Sequence, residues 1–224
     1  MTVNAHPKPI AADVIEAYKQ ILPATLGHYV DDGFADTRIR PVFKRIRAVG
    51  TAVTLKLPER DLTMTRPALA MLQPGDVLII DQGGESLWAC WGEMTSLAAQ
   101  LSGCVGVIID GAVCDVVEIE DQAMPTWSRH ISAAVGRRGS GEGGGVNIPV
   151  QCGGVSVHPG DLVVADDNGI LIIPPRHVGD YIERGLAAEA RGPLVKRWLE
   201  SGGSLAEITG KSVAELEEML AARG

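Results

Sequence analysis

The sequence predicts an α/β fold: one aliphatic core built on buried strands, with a helical C-terminal extension. Three observations carry this. Short apolar runs such as Val77-Leu78-Ile79-Ile80 and Leu162-Val163-Val164-Ala165 are bounded by Pro-Gly-Asp and glycine turns, as in strands buried on both faces. These runs alternate with stretches whose apolar residues recur at helical spacing. Hydrophobic residues make up 46% of the 224 and aromatic ones only 4%, so Val, Ile, Leu and Ala must fill the core.

The elements follow in order. After Pro9, the spacing of Val14, Ile15, Tyr18, Ile21 and Leu22 predicts a helix that Pro23 stops. A short second helix is expected from about Ala24 to before Asp32-Gly33. Arg45 to Leu57 reads as a strand and Thr63 to Leu72 as a helix. Pro74-Gly75-Asp76 and Pro159-Gly160-Asp161 are echoes: each opens a four-residue apolar run that ends in an acid and a glycine turn. From Glu93, a helix carries Met94, Leu97, Ala98 and Leu101 on one face and ends at Gly103. Val105–Ile109 is a central strand, with Asp110 stabilising the glycine turn that follows, and Pro125–Ile131 is another. Residues 136–145 (GRRGSGEGGG) read as a mobile loop bearing Arg137 and Arg138. Val155–Val157, Leu162–Ala165 and Ile170–Ile173 continue the sheet.

Beyond Pro174-Pro175 the character changes. Tyr181–Leu199 reads as a helix interrupted at Gly192-Pro193. Ser204-x-x-Glu207 and Ser212-x-x-Glu215 are capping-box patterns, so two or three helices are expected. No flexible linker separates these parts. The expectation is a single domain over residues 1–224, with a core at about 20–180 and the helical extension at about 180–224.

Net charge is −8, from 20 basic and 28 acidic residues, which argues against a nucleic-acid partner. No apolar run approaches the length of a membrane span, so no membrane partner is expected. Met1–Pro9 lacks the apolar stretch of a secretion signal, and a cytoplasmic location is expected. Cys90, Cys104, Cys114 and Cys152 form no C-x-x-C pair and have no histidine at ligand spacing. A zinc site or disulfides are not expected; Cys90, Cys104 and Cys152 read as small core hydrophobes.

The most informative stretch runs from Gly92 to Asp115. A helix start offers free backbone N–H groups to an anion, and an acid after a buried strand can face a cation. Gly92-Glu93-Met94, Gly106–Gly111 and Asp115 resemble the core motif of the RraA-like proteins. The similarity continues through Val146–Val150, Cys152–Val155 and Pro159-Gly160-Asp161 to Asp166, and covers residues 20–180. That family includes the class II 4-hydroxy-4-methyl-2-oxoglutarate/4-carboxy-4-hydroxy-2-oxoadipate aldolases and the regulator of ribonuclease activity A. Members once carried a demethylmenaquinone methyltransferase label, but the chain shows no nucleotide-binding G-x-G loop between strand and helix.

The resemblance implies a mixed sheet, barrel-like and wrapped by helices, in homotrimers or homohexamers with sites between subunits. It implies a magnesium or manganese ion holding the 2-oxo acid end of a small substrate. Asp115 takes the metal-anchoring position, with Glu93 as a helix-start acid beside it. Gly92 and the amides of Met94 and Thr95 take the carboxylate-binding position. The family motif is Asp-Gly-x-x-Arg-Asp, and Cys114 stands where it has arginine. A thiol is a weak donor without fixed charge, so Cys114 is read as a lost contact, an altered substrate contact or a reactive thiol. Arg138, and less so Arg137, is a candidate for an anionic substrate group.

Each residue also has a structural reading. Asp115 suits a cap for the segment after it, and Glu93 suits a first helical turn by dipole alone. His28 and His130 are bases only by residue type, and Trp88 and Trp91 suit packing. The expected activity is a metal-dependent lyase, by aldol cleavage or decarboxylation, acting on a 4-hydroxy-2-oxodicarboxylate or oxaloacetate. The alternative is a non-catalytic RraA-like protein that binds and regulates a partner enzyme.

Overall fold

The computed structural model describes residues 1–223. The chain opens with β1 (Thr2–Val3), α1 (Ala12–Tyr18), α2 (Pro23–Leu26) and β2 (Arg40–Pro41). Pro23, the expected stop of the first helix, instead starts α2, where its missing N–H costs nothing. β3 (Ala48–Lys56), α3 (Thr65–Leu69), β4 (Asp76–Asp81), β5 (Ala89–Trp91) and α4 (Glu93–Leu101) follow. Then come β6 (Gly106–Val113), α5 (Val116–Asp121), β7 (Thr126–Ile131), β8 (Gly145–Val146), β9 (Val150–Cys152) and β10 (Val155–Val157). The described chain closes with β11 (Leu162–Ala165), β12 (Ile170–Ile173), α6 (Ile182–Glu200) and α7 (Val213–Ala221).

Ten strands form one mixed sheet. β3, β4, β6 and β7 run parallel, in register from Thr51↔Asp76 and Val77↔Gly106. α3, α4 and α5 are the crossovers that parallel pairing requires. β11 runs antiparallel to the first half of β3, β8 to its end, and β12 to β11. Every residue of β4, β6, β11 and β12 is buried, as their unbroken apolar runs require. On one face Leu55, Leu78, Ile80 and Ile109 pack with Ala68 of α3, Ala99 of α4 and Ile119 of α5. On the other, Ala52, Val77, Ile79 and Ile108 are covered by Val150, Cys152 and Val157 of the β9–β10 hairpin. That hairpin turns at Gly153-Gly154, both at positive φ, as a two-residue connection demands.

The two Pro-Gly-Asp turns are one device used twice. Asp76 Oδ2 accepts the Gln73 N–H at 2.7 Å and Asp161 Oδ2 accepts the His158 N–H at 2.8 Å. The strands they launch flank β3 on opposite sides.

Four expectations are corrected. The central strand does not stop at Ile109. β6 continues through Asp110-Gly111 to Val113, with a register shift against β7 between Ile109 and Ala112. The Gln82 side chain supports this irregular stretch, its Oε1 accepting the Ala112 N–H at 3.1 Å. Asp110 therefore stabilises no turn of its own; it binds Arg129 and the Gly153 N–H of the β9–β10 turn. The apolar stripe of α4 faces outward: Ser96 and Ala99 are buried, while Met94, Leu97 and Leu101 are exposed. Small residues let the helix lie close to the sheet and leave the larger ones outside. α6 runs unbroken through Gly192-Pro193, pinned by Glu189 to the Leu22 N–H and by Arg191 to the Ile208 carbonyl. The Ser212–Glu215 box caps α7, but the Ser204–Glu207 box supports only a short turn of 3-10 helix, Ala206–Ile208.

Candidate functional site

The start of α4 is fixed by three sets of bonds. Trp91 Nε1 donates to Ser96 Oγ at 2.7 Å in the core, tying the helix to the end of β5. Thr95 Oγ1 accepts the Gly92 N–H at 3.0 Å and donates to the Gly92 carbonyl at 2.9 Å. The Glu93 N–H donates to Asp115 Oδ2 at 3.0 Å. The N–H groups of Met94 and Thr95 remain without partners among the described residues. They are two of the unsatisfied donors that make a helix start an anion site.

Asp115 sits at φ 54°, ψ 42°, in the left-handed region, where Asp is among the few residues tolerated. It precedes α5, yet its side chain makes no cap bond there. The carboxylate turns instead to the start of α4, where it accepts the first N–H of that helix, so capping of α5 does not explain it. Gly92 makes this approach possible. Its backbone is extended, and a Cβ there would lie 2.7 Å from Cys114 Sγ and closer still to Asp115 Oδ2. The structure thus brings Gly92, Glu93, Met94, Thr95, Cys114 and Asp115 into one open cradle.

Cys114 is half-buried. Its N–H and its thiol both turn to the Trp91 carbonyl, at 2.9 and 3.3 Å. Burial, and then Asp115 beside it, push its pKa up to about 11. The thiol is therefore neutral near pH 7, neither a cation in place of arginine nor an activated nucleophile. No cation is hydrogen-bonded to Asp115 or Cys114 among the described residues. A hard divalent ion that keeps several waters needs only one or two carboxylates, and the Asp115 carboxylate stands at the helix start. No group of three His, Cys, Asp or Glu placed to hold a metal ion exists among the described residues.

Arg138 stands apart. It lines a different cavity with Arg60, Asp61 and Arg137, and no hydrogen bond joins it to the cradle. Trp91 is core and Trp88 lies under the Arg60 guanidinium, 5.6 Å from its ring centroid. His28 is exposed on the connection after α2, and His130 lies on β7 opposite Ala112. Cys90, Cys104 and Cys152 are buried free thiols.

Sequence reasoning missed Arg129. Its Nε donates to Asp110 Oδ1 at 2.5 Å and its Nη1 to Asp36 Oδ2 at 3.2 Å. The Gly153 N–H donates to Asp110 Oδ2 at 2.6 Å and the Gln151 N–H to Asp81 Oδ2 at 3.1 Å. Asp81, at the end of β4, and Asp110, within β6, therefore bolt the β9–β10 hairpin to the sheet. A lone arginine inside the strand TWSRHI was the one available signal.

A family model described as RraA-like, Aldolase/RraA, matches residues 11–172. A Halalkalibacterium halodurans protein provisionally named 4-hydroxy-4-methyl-2-oxoglutarate aldolase is 29% identical over 180 residues, 80% of this chain and 84% of that one. The crystal structure of Streptomyces coelicolor RraAS2, described as an unusual member of the RNase ES inhibitor RraA family, superposes with TM-score 0.72. It is 23% identical and covers 83% of this chain and 98% of its own. The RNA-processing inhibitor RraA of Thermus superposes with TM-score 0.60 at 27% identity, over 67% of this chain and 90% of its own.

Proposed function

Because the chain belongs to the RraA-like family, we propose that it is a carbon–carbon lyase releasing pyruvate from a small 2-oxo acid. The substrate class is a 4-hydroxy-2-oxodicarboxylate or oxaloacetate. The observation that carries this reading is Asp115, whose left-handed backbone aims its carboxylate at the start of α4 rather than at its own helix.

In this reading the Met94 and Thr95 amides hold the substrate carboxylate, and the positive end of α4 favours its charge. The Glu93 N–H holds Asp115 in place. Asp115, with Glu93, holds a magnesium or manganese ion, which supplies Lewis-acid polarisation of the 2-oxo group. Cys114 leaves the keto oxygen without the charged donor of the family motif, so the expected activity is weakened or shifted in substrate. The test is pyruvate release from oxaloacetate and 4-hydroxy-4-methyl-2-oxoglutarate, with magnesium or manganese. Asp115→Ala should abolish the metal-dependent rate and leave the fold intact. Full activity in that variant would overturn the assignment.

The neutral thiol of Cys114 favours a second reading, a non-catalytic protein that binds a partner enzyme. Its mark is a folded protein that turns over neither substrate, with or without metal. The outward apolar residues of α4 support a further proposal, a closed homotrimer or homohexamer in which a neighbouring copy borders the cradle. Leu101 is 80% exposed and Met94 63%, a costly arrangement for a lone monomer. A monomer by light scattering at micromolar concentration would refute it.

A further inference from the structure

The glycine-rich loop after β7 is held in one shape, and it brings two arginines beside a third. The Arg137 N–H donates to the Arg60 carbonyl at 2.8 Å, and the Leu62 N–H to the Arg137 carbonyl at 2.9 Å. Asp61 Oδ1 accepts the N–H groups of Thr63 and Gly139, at 2.9 and 3.0 Å. Its Oδ2 accepts the Gly141 N–H at 2.6 Å. The Thr63 side chain first, and then these backbone N–H groups, hold the Asp61 carboxyl well below the usual carboxylate range. Two glycines permit the approach. A Cβ at Gly136 would lie 2.7 Å from the Arg60 carbonyl oxygen, and one at Gly139 would lie 2.6 Å from Asp61 Oδ2.

The product of this scaffolding is a cavity of about 350 Å³ bordered by Arg60, Arg137 and Arg138. The Arg60 guanidinium is steadied over the Trp88 ring. Asp61 spends its carboxylate on backbone N–H groups. Glu59 borders the cavity too, yet none of the three arginines makes an ion pair among the described residues. Three exposed arginines lining one hollow, with no ion pair of their own, leave their guanidinium groups available to an anion. Planar forks of this kind match carboxylate and phosphate oxygens bidentately.

We propose that this cavity is an anion site, separate from the Asp115 cradle, for a small oxyanion bearing two or more negative charges, held by Arg60, Arg137 and Arg138. Carboxylate and phosphate groups share that chemistry. The site does not depend on the lyase reading.

The test is calorimetric titration of the intact protein with citrate, and separately with inorganic phosphate, in buffer free of divalent cations. At least one probe should bind, and the comparison assigns the source of the anion. The double variant Arg137→Gln/Arg138→Gln should weaken binding about tenfold or more, the weight of a charge-assisted hydrogen bond. Arg60→Gln, on the opposite wall, should weaken it independently, so a folding fault in one variant does not decide the matter. Failure of both probes to bind, or equal affinity in all the arginine variants with native melting curves, overturns the proposal.

Discussion

Cys114→Arg restores to the cradle the side chain that the family motif carries there. The structure allows the exchange. The Cys114 N–H would still reach the Trp91 carbonyl, keeping the end of β6 in place, and only a thiol contact at 3.3 Å would be lost. The position is half-buried at an open edge, so a longer side chain can run outward rather than overpack the core. The native thiol, with its pKa pushed up to about 11, offers no charge near pH 7. An arginine would offer a permanent one. Removing a single donor from an oxyanion-type site costs roughly 10²–10³ in kcat, or about 2.7–4 kcal/mol, and restoring one should return a similar factor. The assay is a pyruvate-coupled rate with oxaloacetate and 4-hydroxy-4-methyl-2-oxoglutarate, in magnesium and in manganese, on both proteins. The gain should appear in kcat as well as kcat/KM, because the donor acts on charge that develops in the transition state. Turnover that stays flat would show that the missing arginine is not what limits the enzyme. No turnover in either folded protein would leave the partner-binding reading ahead.

Two further results are expected. Gly92→Ala meets no backbone strain, since Gly92 is extended, but its methyl would strike Asp115 and Cys114. It should cost about 1–3 kcal/mol and part Asp115 from the Glu93 N–H; melting indistinguishable from the parent would refute the close approach. Asp61 titrates below the ordinary carboxylate value of about 3.9, so its contribution to stability is fully present above that pH. It is lost as the pH falls toward the folded value. Protection of the Gly139 and Gly141 amides, taken against the intrinsic exchange rate at each pH, should therefore fall below about pH 4, and Asp61→Asn should remove that pH dependence; an unchanged dependence would sink the assignment.

The sequence made the sheet legible wherever a strand is buried on both faces. β4, β11 and β12 lie where their apolar runs put them, because nothing but a strand covered on both sides accepts such a run between two tight turns. Elements set by distant partners were not legible. Asp110-Gly111 looks like a turn in isolation; Gln82, Arg129 and Gly153, none of them local to it, make it strand. The α4 stripe has the period of a buried face, but periodicity names a face and not what covers it. Arg129 and Asp36 are 93 residues apart, beyond any local pattern. The cradle residues were legible only through the resemblance. The left-handed backbone of Asp115, which turns its carboxylate toward α4 and away from α5, leaves no trace in residue type.

The loss of the motif arginine and the survival of the cradle have different physical bases. The donors at Met94 and Thr95 are backbone groups, set by the Trp91–Ser96 bond, the Thr95 hydroxyl and the Asp115–Glu93 contact. No substitution at position 114 removes them. The arginine is a side chain whose loss leaves that scaffold standing. In the proposed reading, holding a carboxylate and stabilising the charge of bond cleavage fall to different groups, so a binding protein and an enzyme would share one cradle and differ at one position. The discriminating measurement is accordingly a pair. Affinity for pyruvate should be nearly equal in the parent and Cys114→Arg if the backbone donors and Asp115 dominate ground-state binding, while turnover should differ. Affinity that rises as steeply as turnover would mean that the arginine binds substrate and transition state alike, and that position 114 belongs to binding after all.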